Sequence, residues 1–240
     1  DGLAVARGSL LAYGLGGVWQ VMPGGEPRRV HNFSNIFDLA ESRARPDLIY
    51  CASLNGLSLW RWAGDKLTYD SSVKEVRGNS LAEAADGSVW TGTDNQGVWR
   101  VTFEGEPAKP VAKRFGADSG LPDVNNNIRV ELIGGAPLFL TGKGLYRFDP
   151  ATERYRPESA YGARLADGSM FVRAISEDAA GTVWLIAEPA GSEESAGSEL
   201  GCVRHGEWTP LPVPEVSRMR GKKRLVPETV GGRDILWVLG

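Results

Sequence analysis

One unit recurs through the chain: a glycine turn, a short strand of aromatic and β-branched residues, a second glycine, and an apolar–aromatic–polar run. Asp86-Gly87-Ser88-Val89-Trp90-Thr91-Gly92-Thr93 leads to Gly97-Val98-Trp99-Arg100-Val101. Arg7-Gly8-Ser9-Leu10-Leu11-Ala12-Tyr13-Gly14, followed by Gly17-Val18-Trp19-Gln20-Val21, superimposes on it almost residue for residue. Further copies run from Asp47 through Gly56 to Trp62, from Ala136 through Gly144 to Phe148, and from Ala180 to Arg204 with an insertion. A sixth starts at Gly231 and ends within its hairpin. Most copies lie roughly 40 to 50 residues apart, the period of four-stranded propeller blades.

Each unit has a physical logic. An inner strand, such as 79–84 or 171–176, is reversed by a turn in which glycine supplies the positive φ that tight hairpins demand. The next strand is rich in Val, Trp, Ile and Thr, which suit a packed pleated surface. A glycine then opens a third strand, and a looser polar segment such as 150–157 carries the outer strand. No helical period of useful length competes with this pattern. A β-helix would need a shorter and more uniform repeat, and a sandwich would need none.

The expectation is therefore an all-β chain, a β-propeller of four-stranded antiparallel blades, with five blades plus a partial sixth. The blades fall at about 1–33, 34–72, 73–118, 124–160, 168–214 and 225–240, within a single domain or segment spanning 1–240. The first unit already holds its own second and third strands, so it does not obviously complete the last one. That points to a segment of a larger ring of about seven blades.

Composition narrows the chemistry. The 240 residues carry a net charge of −3, and no basic block invites a nucleic acid. The short cluster of Arg218, Arg220, Lys222, Lys223 and Arg224 reads as a solvated loop between strands. No stretch approaches the roughly 18 apolar residues of a membrane helix, so this segment is expected to make no membrane contact. No signal peptide is visible. Cys51 and Cys202 lie in strand patterns of different repeats, which suggests buried free thiols. With two histidines, His31 and His205, in unrelated repeat positions, neither metal nor other cofactor is expected.

The units resemble the two-component regulator propeller repeat. Glu177-Asp178-Ala179-Ala180-Gly181-Thr182-Val183-Trp184 matches its acidic turn and strand, and Val89 to Thr93 followed by Gly97 to Arg100 matches its second half. Ser119-Gly120-Leu121-Pro122, running on to Ile128, is similar to the Gly-Leu-Pro linker that precedes the next inner strand. The first two blades lack the acidic turn and the Trp, and the fifth carries an insertion at 189–199. The resemblance implies a periplasmic or extracellular sensor domain of a bacterial two-component protein, non-catalytic itself. It implies a small carbohydrate ligand and a homodimer formed through the parent sensor. A secreted carbohydrate-active enzyme or lyase on the same scaffold, or a protein-interaction scaffold, are the alternatives.

Loops between second and third strands share one end of the blades with the blade-to-blade connections. There Asn55, Asp94, Asn95, Gln96, Lys143, Asn125, Asn126 and Asn127 are the candidate ligand-binding residues, since amides and carboxylates can bond sugar hydroxyls. The same residue types also simply satisfy turns. Arg61, Arg100, Arg147 and Arg204, with Gln20 in the first blade, read as structural groups that reach a carbonyl or carboxylate. Trp90, Trp184 and Trp237 read as core between blades. The carboxylate pairs Glu193-Glu194 and Asp118 with Asp123 sit in mobile or turn contexts, without the fixed separation hydrolysis requires. No catalytic residue is assigned.

Overall fold

The computed structural model describes residues 2–31, 35–105, 109–122, 124–191, 197–219 and 223–239. The chain divides into two compact units, one of residues 1–116 with 127–130 and one of 117–126 with 131–240.

The first unit contains three four-stranded antiparallel sheets, each an in-order meander. The first is β1 (Gly2–Ala6), β2 (Ser9–Gly14), β3 (Gly17–Val21) and β4 (Arg28–His31). The second is β5 (Ile36–Glu41), β6 (Leu48–Ser53), β7 (Gly56–Ala63) and β8 (Lys66–Val73). The third is β9 (Ala82–Glu83), β10 (Val89–Gly92), β11 (Val98–Glu104) and β12 (Lys109–Phe115). The expected inner strand 79–84 is thus short, its regular pairing with β10 being confined to Ala82 and Glu83.

The second unit holds β13 (Arg129–Ile133, whose first two residues belong with the first unit), β14 (Ala136–Thr141), β15 (Gly144–Asp149) and β16 (Arg154–Pro157). A one-turn helix α1 (Ala163–Ala166) leads to β17 (Met170–Glu177), β18 (Val183–Pro189), β19 (Glu199–Arg204) and β20 (Glu207–Pro210). β21 (Arg224–Val230) and β22 (Arg233–Leu239) form a two-stranded sheet. Among the described residues, five four-stranded meanders and a hairpin match the expected five blades and a partial sixth.

Within each unit the sheets stack face to face, and the alternation of the strands sorts the core. Leu11, Tyr13 and Val18 of the first sheet meet Ile36, Leu39, Ile49, Cys51 and Trp60 of the second. Tyr50, Leu57 and Leu59 meet Val89 and Val101 of the third. In the second unit Leu138, Leu140 and Leu145 meet Val172, Ile175 and Leu185. Ala174, Ile186 and Leu200 then meet Val216 and Leu225. Both cysteines are buried and unbridged, and burial pushes the Cys51 thiol up to about 12.

Inner-strand glutamates clasp the preceding sheet. Glu83 accepts the Ser42 hydroxyl (2.6 Å), the Tyr50 hydroxyl (3.3 Å) and the backbone N–H groups of Arg43 and Ala44. In the same register position of the second unit, Glu177 accepts the Gly134 N–H (2.6 Å).

Candidate functional site

The loops that follow the second strands share one device. A hydroxyl at the strand end donates to the carbonyl of the glycine that opens the third strand: Ser53 to Gly56 (2.9 Å), Thr93 to Gly97 (2.9 Å) and Thr141 to Gly144 (2.8 Å). The same hydroxyls accept the backbone N–H groups of Asn55 (3.1 Å), Gln96 (2.8 Å) and Lys143 (3.0 Å). The turns are therefore held by Ser and Thr and not by the amide side chains. Asn55, Asn95 and Lys143 are left exposed. Gly144 is required here: at its φ of +108° an added Cβ would lie 2.7 Å from the Leu165 carbonyl oxygen.

In the first unit this loop end gathers a polar cluster. Asn79, 9% exposed, donates through Nδ2 to Asp94 Oδ1 (3.0 Å) and to Asn127 Oδ1 (2.9 Å). Ser80 Oγ donates to Asn79 Oδ1 (3.0 Å) and accepts the Val130 N–H (2.9 Å). The backbone closes around it, with Asn79 N–H to the Gly92 carbonyl and Ile128 N–H to the Thr93 carbonyl, both 2.9 Å. A Cβ on Gly92 would sit 2.0 Å from the Ile128 carbonyl oxygen, so only glycine allows this approach. Asp94 and Asn127 are exposed, and Gln96 Oε1 is buried without a partner. The arrangement presents a carboxylate and an amide fixed at a set spacing, suited to adjacent hydroxyls.

Of the expected residues, the structure brings Asp94 and Asn127 together, with Gln96 and Asn95 in the same loop. Asn55 lies on the turn of the neighbouring sheet of the same unit. Lys143, Asn125 and Asn126 belong to the second unit, all exposed. Asn79 and Ser80, which organise the cluster, were missed because they stand at the start of an inner strand. Their signal was a pair of polar residues heading an otherwise apolar strand.

The arginines are structural. Arg100 donates to Asp86 (2.7 Å). Arg147 donates to Glu158 (3.1 Å), the Ile133 and Ala136 carbonyls and the Tyr161 hydroxyl. Arg61 pairs with Asp47 and Asp70. Gln20 bonds Ser9 (3.0 Å) and the Asp65 carbonyl (2.8 Å). Arg204 departs from the pattern. The insertion lengthens the β18–β19 hairpin, so Gly201 pairs mid-strand with Leu185 and Arg204 falls at the exposed turn into β20. The insertion's Glu193 and Glu194, together with Asp123, Arg220 and Lys222, lie outside the described residues.

Among the described residues, no group of three His, Cys, Asp or Glu gathers as metal ligands. His31 packs edge-on against Trp60 (5.0 Å between centroids), and burial followed by the nearby Arg29 charge lowers its pKa. No helix among them is long and apolar enough to cross a membrane.

No family model and no curated protein matches this chain in sequence. Solved structures match in fold. The extracellular domain assigned to hybrid two-component system BT3049 of B. thetaiotaomicron aligns with a TM-score of 0.62 at 18% identity, over 93% of this chain. The Dos1 propeller aligns with a TM-score of 0.58 at 10% identity, over 86% of this chain and 59% of its own. The fold is a β-propeller. Virginiamycin B lyase from Staphylococcus aureus, in a catalytically inactive form with quinupristin, shares it with a TM-score of 0.60 at 13% identity, over 93% of this chain and 72% of the lyase. This propeller chain spans only 27% to 30% of the extracellular two-component domains it matches. The resemblance read in the repeat units thus returns as a likeness of fold to extracellular domains of that kind.

Proposed function

We propose that this chain is a ligand-sensing propeller segment of an extracytoplasmic two-component signalling protein, non-catalytic itself, that binds a small carbohydrate at its loop end. The observation that carries the binding part is the cluster in the first unit, where buried Asn79 holds Asp94 and Asn127 at fixed spacing. A carboxylate and an amide fixed side by side can accept from and donate to neighbouring hydroxyls without paying to order themselves first. The likeness to extracellular domains of hybrid two-component systems supports the signalling part.

The test is a thermal-shift panel of mono- and oligosaccharides on the intact protein. A ligand at about a hundred times its Kd adds about 2.7 kcal/mol, a shift of several degrees. The shift should vanish in Asp94→Ala and persist in Asn55→Ala. A panel in which no sugar moves the transition removes the carbohydrate reading and leaves the interaction scaffold. The likeness to virginiamycin B lyase keeps an enzymatic reading in view. Conversion of any binding sugar into product, followed by mass spectrometry, would establish that reading instead.

A further inference from the structure

The polarity of the hydrogen bonds in the first unit's loop cluster is set from its buried end. Ser80 Oγ accepts the Val130 N–H (2.9 Å), so its own proton turns to Asn79 Oδ1 (3.0 Å). That orients the Asn79 amide: its oxygen faces Ser80, and its two N–H bonds go to Asp94 Oδ1 (3.0 Å) and Asn127 Oδ1 (2.9 Å). Asn127 is oriented in turn, with its oxygen engaged and its NH2 group left to donate. The cluster therefore offers a ligand the second oxygen of Asp94 as acceptor and the Asn127 amide as donor. Both engaged oxygens lie about 3 Å from one nitrogen, so the two side chains stand within reach of adjacent substituents on one ring.

Charge separates Asp94 from other turn aspartates, which are saturated by their own loops. Asp86 accepts the Ser88 N–H and hydroxyl and the Arg100 guanidinium. Asp178 accepts the N–H groups of Ala180 and Thr182 and the Trp184 indole. Asp149 accepts the Ala151 N–H and the Thr152 hydroxyl and pairs with Arg156 (3.3 Å). Among the described residues Asp94 accepts one hydrogen bond, from the neutral Asn79 amide, and no cation pairs with it. Gln96, two residues on in the same loop, adds a further acceptor, its Oε1 buried without a partner. Two acceptors, one of them charged, against one donor complement a group that donates more than it accepts and is positive: an ammonium beside a hydroxyl. A neutral diol could make the same bonds but would leave the carboxylate charge uncompensated.

We propose that the sugar taken by this site is an amino sugar with an unsubstituted amine, its ammonium on Asp94 and the neighbouring hydroxyl on the Asn127 amide. This deepens the carbohydrate-binding reading and rests on it. An exposed ion pair alone is worth little, because two mobile side chains must be ordered to make it. Here the carboxylate is already held by buried Asn79, so that loss is reduced and the charge-assisted bond contributes to selectivity.

Titration calorimetry on the intact chain tests this with β-1,4-linked oligomers of D-glucosamine and of D-glucose, the second carrying a hydroxyl where the first carries the amine. The glucosamine oligomer should bind about tenfold more tightly at low salt, the difference between a charge-assisted and a neutral hydrogen bond. Added salt should narrow that advantage, and N-acetylation, which removes the charge, should abolish it. Asp94→Asn keeps the acceptor for Asn79 and removes the charge, and it should bring the two oligomers within about twofold of each other. Its urea midpoint, read in parallel, reports whether the Asn79 tie is kept. Equal binding of the two oligomers, or an advantage that survives Asp94→Asn, overturns the amino-sugar assignment and leaves the carbohydrate reading standing. Binding of neither oligomer overturns it too, and the carbohydrate reading falls with it only when the whole saccharide panel is silent.

Discussion

Replacing Asn79 separates the cluster's hydrogen bonds from its electrostatics. In Asn79→Ala the donor to Asp94 and Asn127 is lost, along with the acceptor for Ser80. A bond to a charged acceptor is worth about 1.5–3 kcal/mol net and a neutral one about 1. Part of the first returns, because exposed Asp94 regains water. The expected loss is ~2–3 kcal/mol, which at an m-value of about 2 kcal/mol/M lowers the urea midpoint of the first unit by roughly 1 M. Asn79→Asp keeps the shape and puts a second carboxylate within about 3 Å of Asp94. At an effective dielectric of about 20–40 the repulsion adds ~3–5.5 kcal/mol at neutral pH. Such a pair shares a proton, so one folded-state pKa rises above its unfolded value. A raised pKa stabilises at low pH and loses that contribution as pH rises through it. The deficit of Asn79→Asp relative to the unsubstituted chain should therefore shrink between pH 7 and pH 5, while that of Asn79→Ala stays flat. Urea titrations across that range read both. Parallel pH profiles for the two variants, or a loss below 0.5 kcal/mol for Asn79→Ala, would refute the claim that Asn79 is the buried tie between the loops.

Three further outcomes are expected. Glu83→Ala strips a carboxylate from two buried hydroxyls and two backbone N–H groups, at a cost of ~3 kcal/mol or more in denaturant melts, with Glu83→Gln intermediate. Burial alone would raise the Asp86 pKa, but the Ser88 hydroxyl and N–H and the Arg100 guanidinium outweigh it and hold the group below the ordinary carboxyl value. Its stabilising contribution is thus present above about pH 4 and is lost as pH falls through the depressed value, so Asp86→Asn should flatten the acid limb of a stability–pH curve. With its thiol raised to about 12, Cys51 should resist thiol reagents at pH 8 until the protein unfolds, which a timed reaction with a chromogenic disulfide measures.

The blades were legible because their signals are local. The glycine of Asp86-Gly87 and the alternation around Val89 and Val98 determine strand, turn and facing within a window of about fifteen residues, and stacking of the units follows from their apolar faces. The errors arose where that local window was broken. In the fifth blade Arg204 was grouped with Arg100 and Arg147, because Gly201-Cys202-Val203-Arg204 imitates Gly97-Val98-Trp99-Arg100. The longer β18–β19 hairpin displaces the register, and only pairing across the sheet reveals it. Trp237 was read as core, yet its neighbours Leu236 and Val238 are the β22 residues that pack on the core, while the indole stands 49% exposed.

The candidate site was legible only in outline, for a related reason. Loop amides such as Asn55, Asp94 and Asn127 announce themselves by composition, and composition cannot tell a residue that holds its turn from one held ready for a ligand. The hydroxyls decide that. Where Ser53, Thr93 and Thr141 close the turn, the amide beyond is released from backbone duty. Whether a released amide becomes part of a site then depends on something from another strand reaching it. For Asp94 and Asn127 that something is Asn79, at the head of the inner strand of its own blade and buried where water cannot replace it. The residue that organises the cluster is thus a structural one, and the exposed residues acquire a fixed geometry by being bonded to it. A sequence reading that searches for exposed polar residues finds the second kind and passes over the first.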